Sequence, residues 1–109
     1  MVTELPPARD AVFRAIADPT RREILRLLRG GTQRVGDLAS HFEQSRPAIS
    51  KHLRQLRAAG LVRTRERGTV RLCELNPQPL RAVDDWLRDY RDLWRESMRN
   101  LKRHVEDAR

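Results

Sequence analysis

Apolar positions in this chain recur first at helical spacing, then at strand spacing, then at helical spacing again. Between Ala8 and Ala17 they fall at Val12, Phe13 and Ile16, the pattern of a short amphipathic helix. Asp18-Pro19 opens a second helix, predicted to run to about Arg29. The Asp18 side chain can accept from the free first-turn amides, and Pro19 has no amide to leave unsatisfied. Ile24, Leu25, Leu27 and Leu28 form its buried side, and Gly30-Gly31 stop it, since glycine tolerates the left-handed position after a helix. Val35, Leu38, Ala39 and Phe42 share one face of a third helix over 35–42. Glu43-Gln44 makes a tight turn. Ser45 then caps a fourth helix that carries Pro47 in its first turn, Ile49, Leu53 and Leu56 on its inner face, and Gly60 at its end.

After Gly60 the period drops from near 3.6 to 2. Residues 61–66 and 70–75 read as two short strands joined at Arg67-Gly68-Thr69, a hairpin. Asn76-Pro77 restarts helix, expected to continue to about Val105. The fold class is therefore mainly α with a small β-hairpin (α+β), in the order α-α-α-α-β-β-α. It forms a single domain over residues 8–106, after a flexible lead over residues 1–7 that ends at Pro6-Pro7.

Composition and charge narrow the function. A chain of 109 residues has room for one core, and 39% hydrophobic content can fill it, with Leu, Ile, Val and Ala because aromatics are only 5%. The net charge of +8 is unevenly placed. Residues 32–71 hold nine Lys/Arg against three Asp/Glu, whereas residues 76–109 hold eight against seven. A basic middle beside a nearly balanced tail suits a polyanion-binding surface attached to something else. Apolar runs fall well short of the ~18 residues a membrane helix requires. The segment Met1-Val2-Thr3-Glu4-Leu5-Pro6-Pro7 lacks the basic start and apolar centre of a secretory signal, and the lone Cys73 gives no disulfide framework. A cytoplasmic protein without membrane contact is expected.

The chemistry sits in the two helices joined by the tight turn. The second exposes Ser45, Arg46, Ala48, Ser50, Lys51 and Gln55, an arrangement that suits a helix-turn-helix with its second helix in the DNA major groove. Arg46 can pair bidentately with guanine, and Gln44 or Gln55 with adenine. Ser45, Ser50 and Lys51 suit phosphates or adaptable base contacts, Ala48 lets the backbone approach, and His52 is read as a phosphate neighbour. The hairpin adds Arg63, Arg65, Arg67 and Arg71, which can grip the phosphate backbone or enter the minor groove. No glycine-rich phosphate loop, nucleophile–base pair or metal cluster is visible in the sequence, so an enzyme is the class least expected. A protein-interaction module that has lost DNA binding, or a general chromatin-type binder, are the competing functions.

Two segments carry a family resemblance. Asp18-Pro19-Thr20-Arg21-Arg22-x-Ile24-Leu25-x-Leu27-Leu28 resembles the second helix of the ArsR/SmtB-type winged helix-turn-helix regulators. Ser45-Arg46-Pro47-Ala48-Ile49-Ser50-Lys51-His52-Leu53-x-x-Leu56-x-x-Ala59-Gly60-Leu61-Val62 resembles their recognition helix and its run into the wing. The resemblance implies a repressor that binds an imperfect palindrome in double-stranded DNA as a homodimer. It also directs attention to metal ligands, and the familiar sets are missing. Gln33-Arg34-Val35-Gly36-Asp37-Leu38 holds no cysteine for a thiolate site, and Asp84 and Asp85 have only the distant His104 for company. No metal or other cofactor is expected, and nothing in the sequence assigns a small-molecule effector. His41 is read as a packed or capping residue and Cys73 as a small buried one.

The last helix is the second functional element. Leu80, Val83, Leu87, Tyr90, Trp94, Leu101 and Val105 recur at 3–4 spacing, widened by Trp86, Leu93 and Met98. Some 29 residues at 1.5 Å each make a rod of roughly 43 Å, longer than a small core covers. Part of the stripe is expected to meet a second copy, with Val12, Phe13 and Ile16 of the first helix joining the seam. Asp84/Arg88, Asp92/Arg95 and Glu96/Arg99 are spaced to pair on the polar side.

Overall fold

Local caps set the boundaries of the helices. In the computed structural model, which describes residues 8–108, Asp18 has extended backbone and its carboxylate accepts from the Arg21 amide at 3.0 Å. That contact starts helix α2 (Pro19–Leu28), which follows helix α1 (Ala8–Ala15). The Ser45 hydroxyl likewise accepts from the Ala48 amide at 3.3 Å and starts helix α4 (Arg46–Ala58). At the far end of α4, Gly60 takes φ 78, and the Leu61 amide donates back to the Leu56 carbonyl at 3.0 Å. A left-handed residue there lets the chain reverse and satisfy carbonyls the helix leaves open. The reversal drops Leu61 into the core with no exposed surface. The expected flexible lead over residues 1–7 lies outside the described residues.

The hairpin is formed by strands β2 (Val62–Arg67) and β3 (Val70–Leu75), paired antiparallel from Val62 opposite Leu75 to Arg67 opposite Val70. Gly68, at φ 64, takes the first of the two turn positions, where a positive φ matches the twist of the flanking strands. A third strand was not expected. Strand β1 (Gln33–Arg34) pairs with β3, Gln33 opposite Cys73 and Arg34 opposite Leu72, giving the order β1-β3-β2. Two residues are too few for a period of 2 to register, so only the pairing reveals it. Strand β1 leads straight into helix α3 (Val35–Ala39). This helix ends three residues earlier than the periodicity suggests, and Phe42 closes the following turn partly buried. Gln78–Leu80 forms one 3-10 turn where the last helix was expected to begin, and helix α5 (Arg81–Asp107) follows it.

The core lies between α1, α2, α3, α4 and the base of the sheet. Ile24, Leu38, Ile49, Leu56, Leu61, Val12 and Cys73 are its most completely buried side chains. Val12 was expected in a seam between copies. It is 1% exposed within the single chain, so it belongs to the monomer core and is unavailable to a partner. Phe13 meets Trp86 of α5 edge-on, with ring centroids 5.6 Å apart, and Trp86 leans on Tyr90 at 5.0 Å. Beyond these early turns α5 leaves the domain, a rod of about 40 Å at 1.5 Å per residue.

Candidate nucleic-acid interface

Helix α4 turns Ile49, Leu53 and Leu56 inward, so the opposite side faces solvent with Lys51 and Arg54. At its N-terminus Ser45 and Arg46 are exposed, while Ala48 and Ser50 are partly covered. The Arg46 guanidinium lies over the start of α3, where a Cβ on Gly36 would come within 3.4 Å of it. Glycine at that position leaves room for it. Arg34, Gly36, Asp37, Arg46, Thr69 and Arg71 line one groove between α3 and the hairpin tip. A second groove, between α4 and the hairpin, is lined by Ser50, Arg54, Arg57, Thr64 and Arg71. Arg57 donates to the Thr64 hydroxyl at 3.3 Å and so ties the last turn of α4 to β2. Tertiary folding thus brings Arg71 of the hairpin beside the cations of α4, while Arg63, Arg65 and Arg67 alternate to the other side of the ribbon.

The residues singled out from sequence divide into those held free and those already engaged. Arg46, Lys51, Arg63, Arg67 and Arg71 are exposed and have no carboxylate partner among the described residues. Arg65 lies 3.4 Å from Glu74 across the hairpin. Gln44 donates to the Thr20 hydroxyl at 2.8 Å. His52 and Gln55 turn toward α2: the Gln55 side-chain Oε1 accepts from the Arg21 guanidinium at 2.6 Å, and the His52 Nδ1 lies 3.3 Å from it. Their place on the flank of α4 beside Leu53 and Leu56 accounts for this. His41 is exposed on the turn after α3, so the packed or capping role expected of it is not realised. Sequence reasoning passed over Arg34, Arg54 and Arg57. The signal for two of them was present: Ser50, Arg54 and Arg57 sit at i, i+4 and i+7, one flank of a helix.

Burial pushes the Asp18 carboxyl up, but amide donation from Arg21 and the charges of His52 and Arg21 outweigh it and hold it below the ordinary value. Cys73 is fully buried on β3, and burial raises its thiol against the weaker opposing pull of Arg71 and Arg57. Among the described residues no three His, Cys, Asp or Glu side chains converge in a metal-holding group. No described helix is long and apolar enough to cross a membrane.

Helix α5 presents the opposite chemistry. Its exposed large apolar residues are Trp86, Leu87, Tyr90, Leu93, Trp94, Met98, Leu101 and Val105, with Trp94 65% exposed. Val83, by contrast, is partly buried against the core. Three arginines along the middle of the polar side are paired, Arg91 with Asp84 at 2.8 Å, Arg88 with Asp85 at 2.7 Å and Arg95 with Asp92 at 3.2 Å, whereas the expected pair of Glu96 with Arg99 does not form. Asp84 was expected to meet Arg88. The longer reach to Arg91, two turns on, wins instead, and its hydrogen bond lowers the Asp84 carboxyl.

Comparison with known proteins agrees with this geometry. The sequence profile described as "Bacterial regulatory protein, arsR family" matches residues 18–64, which span α2 to the middle of β2. The chain is 42% identical over 79 residues to the transcriptional repressor SdpR of Bacillus subtilis, covering 72% of this chain and 88% of that protein. It is 45% identical over 74 residues to the HTH-type transcriptional regulator Rv2034 of Mycobacterium tuberculosis, covering 68% and 69%. A crystal structure of an ArsR family transcriptional regulator superposes with a TM-score of 0.74 at 36% identity, over 86% of this chain and 97% of that one. These relatives are transcription regulators rather than enzymes, and the architecture is their winged helix-turn-helix, with α3 and α4 as the helix pair and β2–β3 as the wing. The chain belongs to the arsR family of bacterial regulatory proteins.

Proposed function

We propose that this protein is a cytoplasmic transcriptional repressor that binds double-stranded DNA as a homodimer at an imperfect palindrome. One observation carries the reading. Arg46, Lys51, Arg54, Arg63, Arg67 and Arg71 are exposed without carboxylate partners among the described residues, whereas along the middle of α5 Arg88, Arg91 and Arg95 are each paired. Cations left without a carboxylate on α4 and the wing are available to phosphates, and paired ones are not. The first turn of α4 enters the major groove, where Arg46 reads a base edge and Ser45 and Ser50 make adaptable contacts. Lys51, Arg54 and the wing arginines hold the phosphate backbone and set the register.

Two such helices read successive major grooves about 34 Å apart, which requires a dimer. The α5 stripe, with Phe13 and Ile16 at its root, supplies the seam. The test is selection of bound fragments from random duplex DNA, followed by titration at several salt concentrations. A dyad-symmetric site is expected. Two phosphate contacts from α4 and three from the wing, in two subunits, give a log–log salt slope of about −9. A flat salt dependence would assign the fold to protein interaction. Equal affinity for selected and random DNA would make it a general DNA binder.

A further inference from the structure

Arg21 lies on α2, and its side chain makes more hydrogen bonds than any other among the described residues. Its Nε donates to the Ala15 carbonyl at 2.7 Å, and one terminal nitrogen donates to the Arg14 carbonyl at 2.9 Å. These are carbonyls at the C-terminus of α1, which the helix itself leaves unsatisfied. The other terminal nitrogen donates to the Gln55 side-chain Oε1 at 2.6 Å and lies 3.3 Å from His52 Nδ1, both on α4. One planar guanidinium on α2 therefore joins the end of α1 to the outer flank of the recognition helix. A guanidinium suits this task because its five donors point in fixed directions, and lysine offers only a point charge.

Beyond the buried Val12, the contact between α1 and α4 is made by small side chains. The groove between α1 and α4 is lined by Ala11, Ala15, Ala58 and Ala59, together with Arg14, Arg21 and Gln55. Alanines give little ridge to lock into a facing groove, so side-chain packing fixes the crossing angle weakly there. Helix α1 in turn is bound to α5 through Phe13 and Trp86. The path from the α5 stripe to the DNA-facing helix thus runs through α1 and closes at Arg21.

We propose that Arg21 is a positioning residue that fixes the angle of the recognition helix relative to the dimerisation helices, and thereby the half-site spacing the dimer accepts. This rests on the dimeric DNA-binding reading above. Helix α4 itself is held in the core by Ile49, Leu53 and Leu56, so without the clamp it is α1 that can tilt against α4, carrying α5 with it. The dimer then tolerates half-sites moved by a base pair.

The test compares wild type with Arg21→Met on the selected operator and on versions with one base pair inserted or removed at the centre. Melting temperature and sedimentation are followed alongside. Wild type should discriminate against the altered spacings by about tenfold or more, since half-site separation is a geometric requirement. Arg21→Met should shrink that ratio several-fold while remaining dimeric. Loss of a helix cap alone lowers the melting temperature and leaves the ratio untouched, so an unchanged ratio overturns the proposal. If Arg21→Met does not fold, Arg21→Lys carries the same comparison, because a point charge cannot span both helices. Wild-type protein indifferent to spacing would defeat the dimeric reading first, and the proposal with it.

Discussion

Replacing Leu87 and Trp94 with Glu tests the link between the α5 stripe and DNA binding, because both side chains are exposed in the single chain, at 38% and 65%. Two carboxylates at those positions remain hydrated in the monomer, so the core around Ile24, Leu38, Ile49 and Leu56 should form as before. In a dimer they would be trapped in an apolar seam. A large aromatic side chain buries about 150–250 Å², so covering the 65% of Trp94 left open removes roughly 100–160 Å² from water, or about 2.5–4 kcal/mol at ~25 cal/mol per Å². Two-fold symmetry counts that loss twice, and the unpaired charges cost several kcal/mol more. Even the apolar part alone corresponds to a rise in the dimer dissociation constant of about three orders of magnitude or more. Sedimentation equilibrium should find a monomer at micromolar concentration, and circular dichroism should find it still helical. Operator affinity should fall by orders of magnitude while weak binding to random DNA survives. A variant that stays dimeric and binds its operator tightly would place the seam elsewhere. An unfolded variant would make the long helix part of the monomer's own stability.

Three further outcomes follow from individual side chains. Arg67→Ala at the hairpin tip should weaken binding to all duplexes alike and reduce the salt slope by about one per subunit; a changed base preference at constant slope would make Arg67 a reader of the groove. Cys73 is fully buried and its thiol is raised by that burial, so a thiol-specific reagent should modify the native protein only as fast as the protein opens, and reaction at the rate of a free thiol would refute this. Asp18 is held below the ordinary carboxylate value of 3.8 in the folded chain, so its contribution to stability is complete above that value and is lost as pH falls through the folded pKa. Asp18→Asn should therefore lower stability near neutral pH and flatten the acid limb of the pH–stability curve. An acid limb identical to wild type would show that the contribution lies in other carboxylates.

Features whose causes lie within a few residues are legible in the chain alone. Asp18 and Ser45 start helices, Gly60 ends one, and the change of period after it marks the wing; each depends on backbone groups three to five positions away. The same short range made the helix-turn-helix legible, along with the cations of its second helix and of the hairpin. Features that depend on residues far apart in the chain emerge only on folding. Strand β1 is invisible until Gln33 meets Cys73. Val12 looks like any amphipathic position until the core closes over it. Gln55 and His52 have the composition of DNA contacts, yet they turn to an arginine 34 and 31 residues earlier. Arg21 itself reads as one more charge on a basic helix. Its donors acquire a role only when the end of α1 and the flank of α4 arrive on either side of it, and no local pattern encodes that meeting.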